Sequence, residues 1–129
     1  MFINIFNKYR FFYLFVIIGF TSIVFEILVL NLLRNFNISV NLSIFLSLLV
    51  GILFAFYFNF FFNFEIHKSK LIRAFLYFIT ISLLSWTFQK IISSLFQSYN
   101  YPYEIKRLVT SGFFFIIAYL LHRKFSFKD

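Results

Sequence analysis

An all-helical integral membrane protein of four transmembrane helices is the fold class the sequence predicts, and three observations carry it. Of 129 residues, 62% are hydrophobic and only 12% are charged, whereas soluble domains carry roughly 25% charged residues. The apolar stretches are long and lack the alternation of period two that marks a strand. In hydrocarbon a spanning backbone must satisfy its own hydrogen bonds, as a helix or a closed barrel. Long unbroken runs therefore read as helices.

The first span runs from about residue 11 to 33, after a tail holding Lys8 and Arg10. It exceeds the apolar stretch of a signal peptide, and no small-residue cleavage pattern follows. The turn-prone run Arg34 to Ser39 separates it from the second span, about 40–64. A basic loop with His67, Lys68, Lys70 and Arg73 leads into the third, about 71–96, whose last part is an amphipathic extension to Phe96. A polar hinge, Gln97 to Pro102, contains the sole proline and precedes the fourth span, about 105–121. Each stretch has the roughly 17–25 residues that a bilayer core of about 30 Å requires. Residues 1–129 thus read as a single membrane domain.

Charge sets the expected orientation. The two tails and the middle loop hold Lys8, Arg10, Lys68, Lys70, Arg73, Arg123, Lys124 and Lys128, against Arg34, Lys90, Lys106 and Arg107 on the other side. The richer side should be cytoplasmic, with both termini inside. The formal charge of +8 is then accounted for by helix ends, and no nucleic-acid partner is expected.

Two halves resemble each other. Arg10-Phe11-Phe12-Tyr13-Leu14-Phe15 opens the first span and Arg73-Ala74-Phe75-Leu76-Tyr77-Phe78 the third. The stretch Phe60–Ile66 is similar to Tyr119–Phe125. Two spans per half imply two parallel two-helix repeats. In the register of Arg10 and Arg73, Glu26 falls opposite Gln89.

Glu26 is the informative residue. It lies about 22 Å along the first helix at roughly 1.5 Å per residue, where an ionisable side chain costs about 2.5–3.5 kcal/mol. It should face the bundle interior. Two readings stand: a carboxylate that titrates or organises substrate, and one neutralised by a basic neighbour or protonated. Lys106 and Arg107, entering the fourth span from the opposite side, are its natural partners. Cations at a helix N-terminus make a phosphate site, and the guanidinium fork suits phosphate. The plainer reading is snorkelling towards headgroups. Glu104 reads as a simple offset to this pair at the interface.

A second polar set borders the cytoplasmic side. Asn59 and Asn63 share one helix face, and His122, Arg123 and Lys124 close the fourth span. Headgroup capture competes here with positive-inside anchoring and interhelical amide bonds. Ser82, Ser85 and Thr87 read as packing residues, Gly19, Gly51 and Gly112 as points of close helix approach, and Trp86 with the Tyr99–Tyr103 cluster as interfacial anchors. His67 and His122 read as lone interfacial histidines. Without cysteine there is no thiolate site, and no nucleotide loop, triad or metal motif is present. Neither a cofactor nor an enzymatic activity is expected.

These residues resemble the GtrA-like family of small four-span membrane proteins, associated with flipping polyprenyl-phosphate-linked monosaccharides. Arg10 to Gly19 looks like the family's Arg-Phe…Val-Gly start. Glu26 stands at its acidic position, Asn59-Phe60-Phe61-Phe62-Asn63 at its Asn-Phe-x-x-Asn, and Arg107 at its Lys. Pro102-Tyr103 and Leu121-His122-Arg123-Lys124-Phe125-Ser126-Phe127 resemble its Pro-Tyr and its Leu-Asn-Arg-Lys-Trp-x-Phe close. His122 replaces Asn, Phe125 replaces Trp, Phe64-Glu65-Ile66 replaces an Arg-rich Trp-x-Phe, and Ala118 stands where a second Asn is common.

The resemblance implies a polyprenyl-phosphate sugar as substrate. It would be made by a membrane glycosyltransferase on the cytoplasmic face of the inner membrane and carried outward for surface polysaccharide decoration. Arg107, with Lys106, would hold the phosphate, and Glu26 would pair with that cation when the site is empty. Four helices enclose little volume, so a homo-oligomer embedded in membrane lipids would build the path. Two other readings remain: a small multidrug-type proton-coupled exporter, and a non-transporting accessory subunit of a membrane glycosyltransferase.

Overall fold

The computed structural model describes residues 9–95 and 102–128. Lys8, Phe96 and the run from Gln97 to Tyr101, which includes most of the expected hinge, lie outside these residues. Four helices are long and apolar enough to cross a membrane, and among the described residues there is no strand. The chain is an all-helical, multi-pass membrane protein.

α1 spans Arg10–Asn35. It ends because Asn37 adopts a left-handed conformation, φ 61°, which Asn tolerates better than most residues. Its own N–H and that of Ile38 then close onto the carbonyls of Arg34 and Leu33. Ser39 starts the next helix by accepting from the Leu42 N–H at 3.4 Å, the usual work of a serine N-cap. α2 spans Val40–Phe58 and runs on through a π-helical turn at Asn59–Asn63. A 3-10 turn, Lys68–Lys70, capped by His67 Nδ1 accepting from the Ser69 N–H, leads into α3, Leu71–Leu95. Pro102 caps α4, Tyr103–Leu121, which also ends in a π turn, His122–Ser126.

The two π turns close with the same bond. Phe64 N–H donates to the Asn59 carbonyl and Phe127 N–H to the His122 carbonyl, both at 2.8 Å. The spacing that carries Arg10 onto Arg73 carries Glu26 onto Gln89, Asn59 onto His122, Asn63 onto Ser126 and Phe64 onto Phe127. The correspondence of the helix ends is therefore one turn away from the sequence expectation, which set Asn63 against His122. Runs of Phe and Leu match each other in many registers, and only the backbone turn selects one.

Burial is inverted relative to a soluble protein. Phe113, Ile72, Leu28 and Phe62 are among many exposed large apolar residues, whereas Glu26, Ser43, Ser47, Asn59, Asn63, Gln89, Ser111 and His122 are buried. In lipid an outward Phe or Leu costs nothing, and helices instead associate through close packing and interhelical hydrogen bonds. The close packing is concentrated between α1 and α2. There the Cα of Gly51 sits so near α1 that an added Cβ would meet a Glu26 carboxylate oxygen at 3.1 Å and the Ser22 carbonyl at 3.4 Å. Gly19 likewise meets Phe115 of α4. Gly112 has nothing within 4 Å, so its expected role in close approach fails: its missing side chain faces open space. An aromatic core of Phe56, Phe60, Phe78 and Phe127 fills the end of the bundle with the basic loop, here called the basic end. The end bearing the Arg34–Ser39 turn is called the turn end.

Candidate functional site

Near the turn end α1, α3 and α4 each project one long polar side chain to a common point. Arg107, on the second turn of α4, donates from Nε to Glu26 Oε1 and from Nη2 to Glu26 Oε2, both at 3.2 Å. This is the side-on two-point geometry a guanidinium makes with a carboxylate. Its Nη1 donates to Gln89 Oε1 at 2.7 Å and to Ser111 Oγ at 2.8 Å. Ser111 Oγ in turn donates to the same Gln89 oxygen at 3.0 Å. Glu26 is 2% exposed, Ser111 2% and Gln89 8%, so the pair is held away from solvent.

The geometry follows from helix spacing. Arg107 and Ser111 are four apart and share one face of α4. Gly51 makes the room Glu26 occupies between α1 and α2. Of the two readings left open for Glu26, the ion pair with a basic neighbour is what the structure contains, and that neighbour is Arg107. A buried pair of this kind offsets its desolvation only when further hydrogen bonds satisfy the ions, which is what Gln89 and Ser111 supply.

The network divides two spaces. On one side is an interior cavity of about 90 Å³ that runs past Ser82 and Ser85 to Asn59 and His122. On the other is a cleft of about 340 Å³ opening at the turn end, lined by Lys90, Tyr103 and Lys106 among others. Trp86, Gln89 and Arg107 line both. Lys106 thus belongs to the cleft and takes no part in the Glu26 network. Glu104 makes its ion pair with Arg34, at 3.9 Å and partly exposed.

At the basic end the second set separates into two groups. Asn63 Nδ2 donates to Asn59 Oδ1 at 2.9 Å and to the Phe11 carbonyl at 3.1 Å, and Asn59 Nδ2 donates back to the Ala55 carbonyl. His122 is 3% exposed, stacked on Phe78 with centroids 4.2 Å apart and hydrogen-bonded to Ser126. His122 is therefore an interior residue, correcting the interfacial reading. The π turn rotates it inward, where an aromatic neighbour takes its ring face. Arg123 and Lys124 point outward: Arg123 donates to the Tyr119 hydroxyl at 2.8 Å, and Lys124 lies over the Phe125 ring. The structure brings Asn59 and His122 to the cavity and leaves Asn63, Arg123 and Lys124 off its wall.

Sequence reasoning missed Ser111 and underrated Trp86, Ser82 and Ser85. Ser111 was visible as the residue four beyond Arg107. Trp86, expected as a headgroup anchor, stands instead at the junction of cavity and cleft. Thr87 does as expected, donating back to the Leu83 carbonyl at 2.8 Å. Among the described residues no group of three or more His, Asp or Glu is placed to hold a metal ion.

A profile of the GtrA/DPMS transmembrane domain matches residues 14–127. The chain belongs to the GtrA/DPMS transmembrane-domain family. Glu26, Gln89, Arg107 and both π turns fall within the matched stretch, while Arg10 precedes it. Membership places the chain among membrane proteins of the glycosyl-carrier type. No curated protein and no solved structure matches the chain.

Proposed function

We propose that this protein carries a polyprenyl-phosphate-linked monosaccharide across the bilayer, from the cytoplasmic leaflet to the outer one. The observation that carries the reading is Arg107: a guanidinium held inside the membrane domain, at the boundary of cavity and cleft, on a carboxylate that an incoming phosphate can replace. A phosphodiester presents the same two-oxygen edge as Glu26 and carries the same single charge, so it can take the guanidinium fork in the carboxylate's place. The polyprenyl tail has no need of a pore, since the outer faces of the helices are already apolar.

By the Lys and Arg bias the basic end faces the cytoplasm, in the inner membrane where a glycosyltransferase would supply the substrate. Arg123 and Lys124 then stand where a headgroup first meets the protein, and Asn59 and His122 line the way inward. The interior cavity of about 90 Å³ is too small for a sugar phosphate. Passage therefore requires helix separation, either within one chain or between copies in a homo-oligomer. The Glu26–Arg107 pair weighs against an exporter of organic cations, whose carboxylate must be free to alternate between proton and drug.

The test is translocation in proteoliposomes loaded with polyprenyl-phosphate-hexose, followed by its exposure on the far leaflet. Wild type should translocate, and Arg107→Ala should not. Glu26→Gln should bind the headgroup more tightly and release it more slowly, because the carboxylate no longer competes. A well-folded wild type that moves none of several sugars would overturn the reading in favour of an accessory subunit.

A further inference from the structure

The cleft at the turn end contains more than a cation. Its volume of about 340 Å³ falls within the range of roughly 300–1,000 Å³ typical of small-molecule sites. The indole of Trp86 forms part of its wall, with the Lys90 ammonium 5.0 Å above the ring. Lys106 enters from α4, and Ser93, Ser94 and Asn41 add hydroxyl and amide groups. Tyr103 lines the same space, and its buried hydroxyl has no hydrogen-bond partner among the described residues. A buried hydroxyl left unsatisfied costs free energy, and a ligand hydroxyl arriving in the cleft would relieve it.

An aromatic face beside hydroxyl and amide groups suits a hexose, whose axial C–H face packs on a π surface while its hydroxyls seek hydrogen bonds. Two lysines lining the same cleft suit a phosphate. Neither feature alone would specify a sugar phosphate; the combination does. We propose that this cleft binds the glycosyl-phosphate headgroup, with the sugar ring on Trp86 and the phosphate between Lys106 and Lys90. Lys90, whose ammonium lies over the indole, moves off it to meet the phosphate. The inference rests on the carrier reading and adds to it a headgroup site beyond Arg107, reached once the phosphate has left the Glu26 network.

Trp86 is the sole tryptophan of the chain. Its emission, excited selectively over tyrosine in the full-length protein in detergent, therefore reports the junction of this cleft with the interior cavity. Lys106, which lines the cleft alone, assigns the response to the cleft. Hexose 1-phosphate should change the emission saturably, while inorganic phosphate, free hexose and phosphatidylglycerol should require at least tenfold higher concentrations. Lys106→Gln should weaken the hexose 1-phosphate response at least tenfold. An equal response to inorganic phosphate would reduce the cleft to a simple anion site, and an equal response to phosphatidylglycerol would make it a phospholipid contact. Either result overturns the proposal.

Translocation supplies the second arm. Trp86→Ala should lose at least tenfold in rate for glycosylated polyprenyl phosphate and little for the unglycosylated lipid, with Trp86→Phe restoring most of the loss. Equal losses for both lipids would mean that Trp86 only supports the fold. A saturable emission change in a chain that translocates nothing would keep the cleft and sink the carrier reading. Translocation with emission indifferent to hexose 1-phosphate would do the reverse.

Discussion

The two polar regions of this bundle are built from corresponding positions and behave differently. At the turn end, Glu26 and Gln89 converge on an arginine, and the cluster borders a cleft. At the basic end, Asn59 with Asn63 and His122 with Ser126 bond to each other and to nearby backbone. Both are buried, yet only the first contains full charges. A neutral set whose donors are taken up by one another and by backbone, with the buried Asn63 Oδ1 left unpaired among the described residues, fixes helices in place and offers an anion no charge to replace. A charged set centred on Arg107 ties three helices together through a guanidinium fork whose geometry suits other anions as well.

The largest effect should come from separating the charged pair. Arg107→Ala leaves the Glu26 carboxylate buried without its cation, a loss of about 3–5 kcal/mol. Thermal unfolding in detergent should show it as a large drop in Tm, alongside the loss of translocation. The double variant Glu26→Gln, Arg107→Gln should recover most of that Tm, because two amides can hydrogen-bond without uncompensated charge. It should recover no translocation. Recovery of both would mean that the charges serve the fold alone.

Gly51→Val should come next. The added carbons meet Glu26 and the α1 backbone, and overpacking of this kind costs about 1–3 kcal/mol. Unlike an ordinary packing defect, it should also impair translocation, by displacing the carboxylate from Arg107. The control is Gly112→Ala, whose Cβ has open space. In a helix interior that change should be neutral or stabilising, by up to about 1 kcal/mol.

At the basic end, His122→Leu removes the hydrogen bond to Ser126 and keeps an apolar contact for Phe78. A loss of about 1–2 kcal/mol is expected, with translocation of the surviving folded protein retained within a few fold. A complete loss of translocation at unchanged Tm would give the basic end a role equal to that of Arg107. The smallest effect should be Glu104→Gln, which breaks an exposed contact of 3.9 Å with Arg34 worth about 0–1 kcal/mol. Its Tm should scarcely move.

The fold class was legible because lipid leaves so few options. Once a chain is this apolar and this short of charge, helices of bilayer length follow. Glu26 and Arg107 were legible for the same reason, since each is costly at its depth and the other is the nearest remedy. Ser111 was harder to see, because a serine in a transmembrane helix usually bonds to its own backbone, as Ser94 does. The π turns were not legible at all. They depend on a single extra residue per turn, and a run such as Asn59-Phe60-Phe61-Phe62-Asn63 is equally compatible with α geometry. His122 and Gly112 were misjudged through that same rotational uncertainty, since a residue's depth in the bilayer is easier to infer than the direction it faces.

The ion pair also has a consequence for how the protein is made. Glu26 and Arg107 are separated by 81 positions in the chain. During synthesis α1 therefore reaches the bilayer long before its counter-ion exists. The apolar remainder of α1 has to cover the burial of that carboxylate, about 2.5–3.5 kcal/mol on insertion scales, until α4 arrives. A chain halted before α4 exposes an acid in the membrane that a finished chain hides. The pair thus distinguishes a completed protein from a truncated one.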